Sequence, residues 1–503
     1  MSEALFAHYC AKEGLRVIKS SLVSWCEPNS DCVTLFEKPR SYVARAYCPT
    51  LIDMRSDVPR KVFPALPVPA GPLPQEPLKV CIASPEFVGP SHNGGIGTAY
   101  TALADALADT GHEVTCLYLF GTECASQDIQ YWVRQFRARR LNLVPLPRLA
   151  TPLDVPWHLN KSYETYHWLK QHDEFDVIHF PEWRGHGYYT QVAKHQGLAF
   201  RRTTICVGTH SMTAWLKTAN GECLTDLGEL EQDFMERQSV ALADVVISPS
   251  RYLLDWIAER GWQLPPNCHV QQNVLPKSAR PAGPLPPRDL QEISELVFFG
   301  RLETRKGVLL FCDALDRIPP ELARKLRTVT FLGKEATVEG VPGREFVQKR
   351  AQRWPWKVQL MSDRNQPQAI EYLSQKGRLA AIPSLLENSP YTVLECLGAG
   401  IAFVANRVGG IPELIVPEDV GNVCFETTAG ALAQLLGSAL MHGIRPARPA
   451  LDAAANERAW VAWHESRCAE PQVPVAAAST SPPKVRPKVS VCLTTFNRPT
   501  LLR

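Results

Sequence analysis

The feature that most constrains this chain is a repeated alternation of strand-length apolar runs with helical patterns, broken by clusters of proline. Between residues 78 and 264 the runs are LKVCIAS (78–84), HEVTCLYLF (112–120), FDVIHF (175–180), TTICVGT (203–209) and DVVISPS (244–250). Between 291 and 445 the layout returns as ELVFFG (295–300), TVTFLG (328–333), KVQLMS (357–362), LAAIPS (379–384) and AFVANR (402–407). Near-continuous apolar strands separated by helix-length segments imply parallel sheets covered on both faces. The expected fold class is therefore α/β, with two Rossmann-like doubly wound domains. Open sheets of this kind bind ligands beyond the carboxyl ends of their strands, so two that face each other create one cleft.

Proline divides the chain further. It makes up 42 of 503 residues, about 8% against a usual ~5%. Seven prolines lie between Pro59 and Pro77, seven between Pro265 and Pro287, and five between Pro471 and Pro487. Such stretches cannot continue helices or central strands and read as extended linkers, with proline-rich surface loops as the alternative. The expected division is an N-terminal extension of unassigned role (1–62), a linker (63–77), a first domain (78–264), an interdomain linker (265–290), a second domain (291–445), a helical segment (446–470), a third linker (471–488) and a short terminal stretch (489–503).

Composition narrows the partners. Lys+Arg number 54 against 51 Asp+Glu, a net charge of +3, so the nucleic-acid footprint of a basic protein is missing. Fifteen cysteines run from Cys10 to Cys492 without a CxxC pair or a zinc-type Cys/His spacing, which fits reduced core thiols in a cytoplasmic setting. The opening MSEALFAHYCAKEGLRVIKSS carries charges where a signal peptide needs an apolar run. No window approaches the ~18 apolar residues of a membrane span. Peripheral contact with the inner membrane face stays open.

Three segments carry chemistry. After the run 78–84 comes PEFVGPSHNGGIGTAYTALADALADTG, in which Tyr100, Leu103, Ala104 and Leu107 recur at helical spacing and Gly111 supplies a stop. Gly94, Gly95 and Gly97 then open a helix whose amides and positive end favour an anion such as a pyrophosphate. As a dinucleotide fingerprint the match is poor, because G-x-G-x-x-Y places the Tyr100 ring where close packing wants Gly or Ala. A plain strand-to-helix turn is the other reading. After 295–300 comes Gly300-Arg301-Leu302-Glu303-Thr304-Arg305-Lys306-Gly307, which puts Arg301 and Lys306 at a strand's carboxyl edge, able to neutralise a diphosphate leaving group. A solvated patch with local Glu303–Arg pairing is the competing reading.

The third segment, LLENSPYTVLECLGAGIAFVANRVGGIPELI, separates Glu387 from Glu395 by seven residues. Ser389-Pro390 reads as a helix start, with serine as cap and proline in the first turn. Two acceptor-only carboxylates so placed suit several hydroxyls of a sugar or ribose. Glu395, within the apolar VLECL, is either partnered or binding something.

Together these segments resemble the retaining glycosyltransferases of GT-B architecture, most closely glycosyltransferase family four. The likeness covers about residues 78–470 and rests on GGIGT (94–98), DVIHFPEW (176–183), THS (209–211), ADVVISPS (243–250), FGRLETRKG (299–307) and ENSPYTVLE (387–395), in the family's order and spacing. The resemblance implies that Gly94 and Gly95 contact the donor diphosphate or sugar, that His210 hydrogen-bonds the sugar near the reacting carbon, and that Arg301 and Lys306 hold the diphosphate. It assigns Glu387 to the transferred sugar and Glu395 to the ribose hydroxyls. The resemblance further implies that the backbone of Ser389, Pro390, Tyr391 and Thr392 completes the phosphate cradle, and that the segment 446–470 with Trp460 and Trp463 is the helix that crosses back onto the first domain. A core histidine at 210 and a plain packing helix at 446–470 are the bland alternatives.

Asn388-Ser389-Pro390 departs from the glycine-containing turn of many relatives. The terminal VSVCLTTFNRPTLLR (489–503) is similar to the opening of an inverting GT-A glycosyltransferase of family two, which implies a truncated second domain. The implied activity is transfer of a sugar from a nucleoside diphosphate sugar, UDP-sugar before GDP-sugar, to a glycan or glycolipid hydroxyl in bacterial polysaccharide or glycoconjugate synthesis. No cofactor and no metal are expected, because residues 1–488 hold no DxD motif. A sugar-nucleotide 2-epimerase and a non-catalytic sugar-nucleotide-binding module are the alternative functions.

Overall fold

The computed structural model describes residues 62–67, 76–91, 94–151, 153–220, 222–280 and 288–469, with two short strand segments at 17–19 and 35–36. Almost all of the N-terminal extension lies outside the described residues, as do 68–75, 281–287 and everything from 470 onward, including the third linker and the terminal stretch 489–503.

The first sheet has seven parallel strands: β1 (Lys79–Ser84), β2 (Glu113–Tyr118), β3 (Leu141–Pro145), β4 (Val177–Pro181), β5 (Thr204–Gly208), β6 (Val245–Ser248) and β7 (Cys268–Val270). Their spatial order is β3-β2-β1-β4-β5-β6-β7. The second sheet has six, β8 (Glu295–Phe299), β9 (Thr328–Leu332), β10 (Lys357–Met361), β11 (Arg378–Ile382), β12 (Phe403–Asn406) and β13 (Cys424–Phe425), in the order β10-β9-β8-β11-β12-β13, again all parallel. Both sheets reverse their winding at one place, between β1 and β4 in the first and between β8 and β11 in the second. A crevice opens at such a reversal, because the connections leave on opposite sides.

Burial on both faces makes these strands. Along β1, Val80 and Ile82 join one core layer while Cys81 and Ala83 join the other, the two-residue alternation of a covered sheet. On the second sheet Phe298 and Phe331 meet Phe311 of the covering helix Val308–Leu315 with ring centroids 5.6–5.8 Å apart. Aromatic pairs at such spacing add about 0.5–1.5 kcal/mol each beyond the area they bury. Cys81, Cys116, Cys206, Cys312 and Cys396 are buried thiols within these cores.

Three strands of these two sheets were absent from the sequence expectation: β3, β7 and β13. β7 lies inside the stretch read as an interdomain linker and continues the first sheet beyond residue 264. The first proline-rich stretch is likewise partly docked. Val270 N donates to Pro64 O at 3.0 Å, Leu66 N donates to Gln271 Oε1 at 3.2 Å, and Phe63 and Leu66 are buried.

The last described helix, Ala453–Ala469, returns to the first sheet. Trp460, Val461 and Trp463 pack with Val80, Ile82 and Cys206. Asn456 Nδ2 donates to the carbonyls of Gln272 and Asn273 at 3.1 Å, and Trp460 Nε1 donates to Gln272 O at 2.8 Å. Among the described residues no helix is long and apolar enough to cross a membrane.

Candidate functional site

At the second sheet's reversal, β8 and β11 deliver adjacent loops. The turn after β8 holds a short 3-10 segment, Thr304–Lys306, and closes at Gly307, whose φ of 76° lies in the left-handed region. A Cβ at Gly307 would fall 1.8 Å from Pro383 O, so only glycine lets this turn lie against the loop after β11. That approach joins Lys306 to Glu387: Lys306 Nζ donates to Glu387 Oε1, and both side chains are largely buried. Arg305 Nη1 lies 3.9 Å from Glu387 Oε2 and donates to Leu386 O at 3.3 Å, while its Nη2 donates to Glu303 Oε1 at 3.0 Å. Burial pushes the Glu387 carboxyl up, but Lys306 and Arg305 together outweigh it and hold the group below its ordinary value. Burial draws the Lys306 ammonium below its ordinary value, and Glu387 offsets part of that. Arg301 stands farther out, 55% exposed and 3.2 Å from Glu303 Oε1. Two cations, Lys306 and Arg305, thus gather around one buried carboxylate at the sheet's carboxyl edge, with Arg301 on its outer side paired to Glu303.

The expected serine cap does not form. The helix Tyr391–Ala399 takes Pro390 as its cap, with Val393 N donating to Pro390 O at 3.1 Å, and Ser389 lies one residue outside. From there the Ser389 hydroxyl cannot reach the helix amides; its Oγ is buried without a hydrogen-bond partner. Pro390 has no amide hydrogen, so of the expected cradle it can contribute only backbone shape. Tyr391 and Thr392 bring their amides to the helix's first turn, where no intrahelical acceptor exists. The Tyr391 hydroxyl donates to Val274 O at 3.1 Å, tying the helix to the segment leaving β7. Glu395 is buried and accepts a hydrogen bond from Gln366 Nε2; burial pushes its carboxyl up to about 7, against the pull of that bond.

In the first domain, Gly94 caps the helix Gly95–Asp109. A Cβ at Gly94 would sit 2.2 Å from Glu86 Oε2, whereas Gly95 faces open space. Glu86 Oε2 accepts from Gly97 N at 3.4 Å, so one amide expected to await an anion already meets a carboxylate. Burial raises the Glu86 carboxyl, and the Gly97 amide and the Arg301 charge counter that rise, which places Arg301 within electrostatic reach of the glycine turn.

His210 follows β5 and rests edge-on against the Tyr100 ring at 5.3 Å; burial lowers its imidazole to about 4, so it is neutral. His210, Tyr100, His179, Gly208 and Trp460 border a small cavity of about 20 Å³, room for a water.

Sequence reasoning missed the groups that hold this loop. Glu182, fully buried directly after β4, accepts from His210 N at 2.7 Å and from Ser211 N. Glu236 accepts from Thr213 N at 2.8 Å, from Thr213 Oγ1 at 2.7 Å and from Arg184 N at 2.9 Å. Burial lifts Glu182 to about 7 and Glu236 to about 8 despite these bonds. The signal for Glu182 was present: a lone acid immediately after a strand buried on both faces has to be partnered. Asn388 was noted only as a departure and Arg305 was not singled out, although its pairing with Glu303 at 3.0 Å matches the local Glu303–Arg pairing of the competing reading.

The structure therefore joins Lys306 to Glu387 at one sheet's reversal with Arg301 in the same turn, sets Glu395 within the helix Tyr391–Ala399 that follows, and places Gly94, Gly95 and His210 at the carboxyl edge of the other sheet. Fixed positive charge beside buried hydrogen-bond acceptors can bind a polyanion joined to a polyol.

Residues 93–274 match Glycosyltransferase Family 4, and residues 291–457 match Glycosyl transferases group 1. Similar solved structures include sucrose-phosphate synthase from Thermosynechococcus elongatus, at 15% identity over 78% of this chain and 94% of that one, TM-score 0.54. The catalytic domain of starch synthase IV from Arabidopsis thaliana, bound to ADP and acarbose, is similar at 16% identity over 78% and 98%, TM-score 0.50. Anabaena HepE in complex with UDP and glucose is similar at 15% identity over 78% and 94%, TM-score 0.50. At these identities the structural likeness carries the shared GT-B fold alone. No curated protein matches the chain by sequence.

Proposed function

This chain belongs to the GT-B glycosyltransferases of the family-four type, and from that premise we propose that it moves a sugar from a nucleoside diphosphate sugar to a hydroxyl acceptor with retention at the anomeric carbon. The observation that carries the reading is the Lys306, Arg305 and Glu387 cluster at the reversal of the second sheet, beside the first turn of helix Tyr391–Ala399. In this reading the second domain takes the donor. Lys306, Arg305 and Arg301 offer charge to the two phosphates, with the Tyr391 and Thr392 amides alongside, and the phosphates compete with Glu387 for the Lys306 ammonium. Glu387 then accepts hydrogen bonds from the transferred sugar, and Glu395 accepts from the ribose diol.

The first domain takes the acceptor and closes over the donor with Gly94, Gly95 and His210. His210, being neutral, can donate one hydrogen bond to the sugar without adding charge. The bond from the anomeric carbon to the diphosphate oxygen breaks as the acceptor oxygen bonds on the same face. The acceptor's proton passes to the leaving phosphate, and no metal takes part. UDP bound by Anabaena HepE supports UDP-sugar as the first donor to try, with GDP-sugar second and a glycan or glycolipid hydroxyl as acceptor. The test is incubation with UDP- and GDP-sugars, with and without glycan acceptors, and NMR of the anomeric centre in the product. A product of retained configuration is expected. Inverted product contradicts the stereochemistry, and epimerised donor without any acceptor points to an epimerase instead.

A further inference from the structure

The loop that carries His210 is held from two domains at once. From within the first domain, Glu182 binds the amides of His210 and Ser211, and Glu236 binds the amide and hydroxyl of Thr213. From the second domain, Asn388 reaches over and its Nδ2 donates to Thr209 O at 3.2 Å and His210 O at 3.1 Å. Its Oδ1 accepts from the Ser250 hydroxyl at 2.5 Å, and Ser250 Oγ in turn caps the helix Arg251–Glu259 by accepting from Leu253 N at 3.2 Å. The three acceptor and donor positions of the Asn388 amide group used here all face the first domain.

The seam around Asn388 is built for close approach. A Cβ on Gly410 would fall 2.0 Å from Asn388 O in its own domain and 2.6 Å from Ser250 Cβ across the seam, so a side chain there would displace the Asn388 backbone and press on the first domain. Glu413, just beyond, binds the amides of Arg251 at 2.7 Å and Tyr252 at 2.8 Å, placing a carboxylate of the second domain on the positive end of a first-domain helix. Asn388 itself is 6% exposed. Parting the domains would strip these groups of their partners, and an amide left buried without them costs free energy.

We propose that Asn388 is a positioning residue that couples domain closure to the placement of His210: the second domain sets the histidine loop only when the seam is shut. Glu182 and Glu236 bind the loop's amides from within the first domain, but its two carbonyls are clamped from across the seam, so opening the seam frees the loop to move and lets those amides part from their carboxylates and exchange. The Asn388-Ser389-Pro390 sequence thereby takes on a role for the asparagine side chain that a glycine could not fill. The inference rests on the reading of His210 as a group that touches the donor sugar.

Hydrogen exchange and kinetics on the full chain test it. In Asn388→Ala, exchange across residues 209–213 should speed up at least tenfold relative to the parent protein, because the carbonyl clamp is gone. Asn388→Asp keeps the size and removes both N–H donors, and should do the same. Gly410→Ala, which keeps the Asn388 side chain but crowds its backbone carbonyl and Ser250 across the seam, should reproduce the effect. Unchanged exchange at 209–213 in these variants overturns the proposal whether or not any sugar is transferred. With a working donor, Asn388→Ala should lower kcat about tenfold with little change in donor KM, and should cost less than about twofold in a His210→Ala background, the non-additivity of groups acting as one unit. Additive losses overturn the coupling. Failure of the parent protein to transfer sugar, with exchange behaving as stated, would remove the functional reading and leave the clamp standing.

Discussion

The two sheets share one architecture but finish their strands in opposite electrostatic styles. The first has groups of reduced charge near neutrality at and behind its strand ends, all moved by burial: Glu182 at about 7 and so half ionised, Glu236 on the helix Leu227–Ala241 at about 8, and His210 at about 4. The second ends in fixed charge, with Lys306 and Arg305 holding Glu387 ionised below its ordinary value. A doubly wound sheet therefore dictates where a site lies but not what it binds; the loops after the reversal strands decide that. A near-neutral edge suits hydroxyls, and a charged edge suits phosphates, which is the division of labour proposed for acceptor and donor.

The largest expected effect would break this comparison on its charged side. Lys306→Ala should lower turnover by roughly 10²-fold or more, the usual cost of losing one transition-state donor; steady-state kinetics near the parent value would remove the lysine from the mechanism. Next comes Glu395. Its loss in Glu395→Ala should weaken nucleotide binding about tenfold, in keeping with ~1.5–3 kcal/mol for hydrogen bonds to a charged group. Because ribose hydroxyls donate to the ionised form, calorimetric affinity for the nucleotide should rise between pH 6 and pH 8, through the value of about 7 at which Glu395 titrates. Glu395→Gln should abolish that slope.

A smaller effect sharpens the neutral side. Glu236 keeps its proton to about pH 8 in the folded chain and loses it near ~4.3 when unfolded. The native state then binds more protons than the unfolded one, so stability falls as pH rises through about 8. Histidines with lowered values, such as His210, act in the opposite sense, but only below ~6.5, where the unfolded imidazole titrates. Thermal melts between pH 7 and pH 8.5 leave the histidines out, while buried thiols such as Cys81 and Cys396 add to the decline at the upper end. The melting temperature should fall across the window and fall less in Glu236→Gln, and that difference isolates the carboxyl. Smallest of all is EDTA, which should leave turnover unchanged; full inhibition would contradict transfer without a metal.

Strands buried on both faces were legible because their residues are nearly all apolar, as in Val177–Pro181, with only His179 polar, and Glu295–Phe299, with only its first residue charged. Leu141–Pro145 escaped because it is an edge strand with Asn142 exposed, Cys268–Val270 because its three residues sit among prolines, and Cys424–Phe425 because it is only two residues long. The charged residues of the turn after β8 were legible by type and position. Their pairing was not: nothing local to Lys306 states that Glu387, 81 residues away, will be its partner. Ser389 was misread because a serine before proline satisfies the local rule for a cap, while the helix starts one residue later. Asn388 carries no local signal at all, since its partners Thr209, His210 and Ser250 come from the other sheet.

A crystal structure with a non-hydrolysable UDP- or GDP-sugar tests the division of labour most directly. The diphosphate should lie between residues 299–307 and 387–395, with the Lys306 ammonium moved from Glu387 onto a phosphate oxygen. A diphosphate seated on the first domain, with the Lys306–Glu387 pair intact, would contradict it.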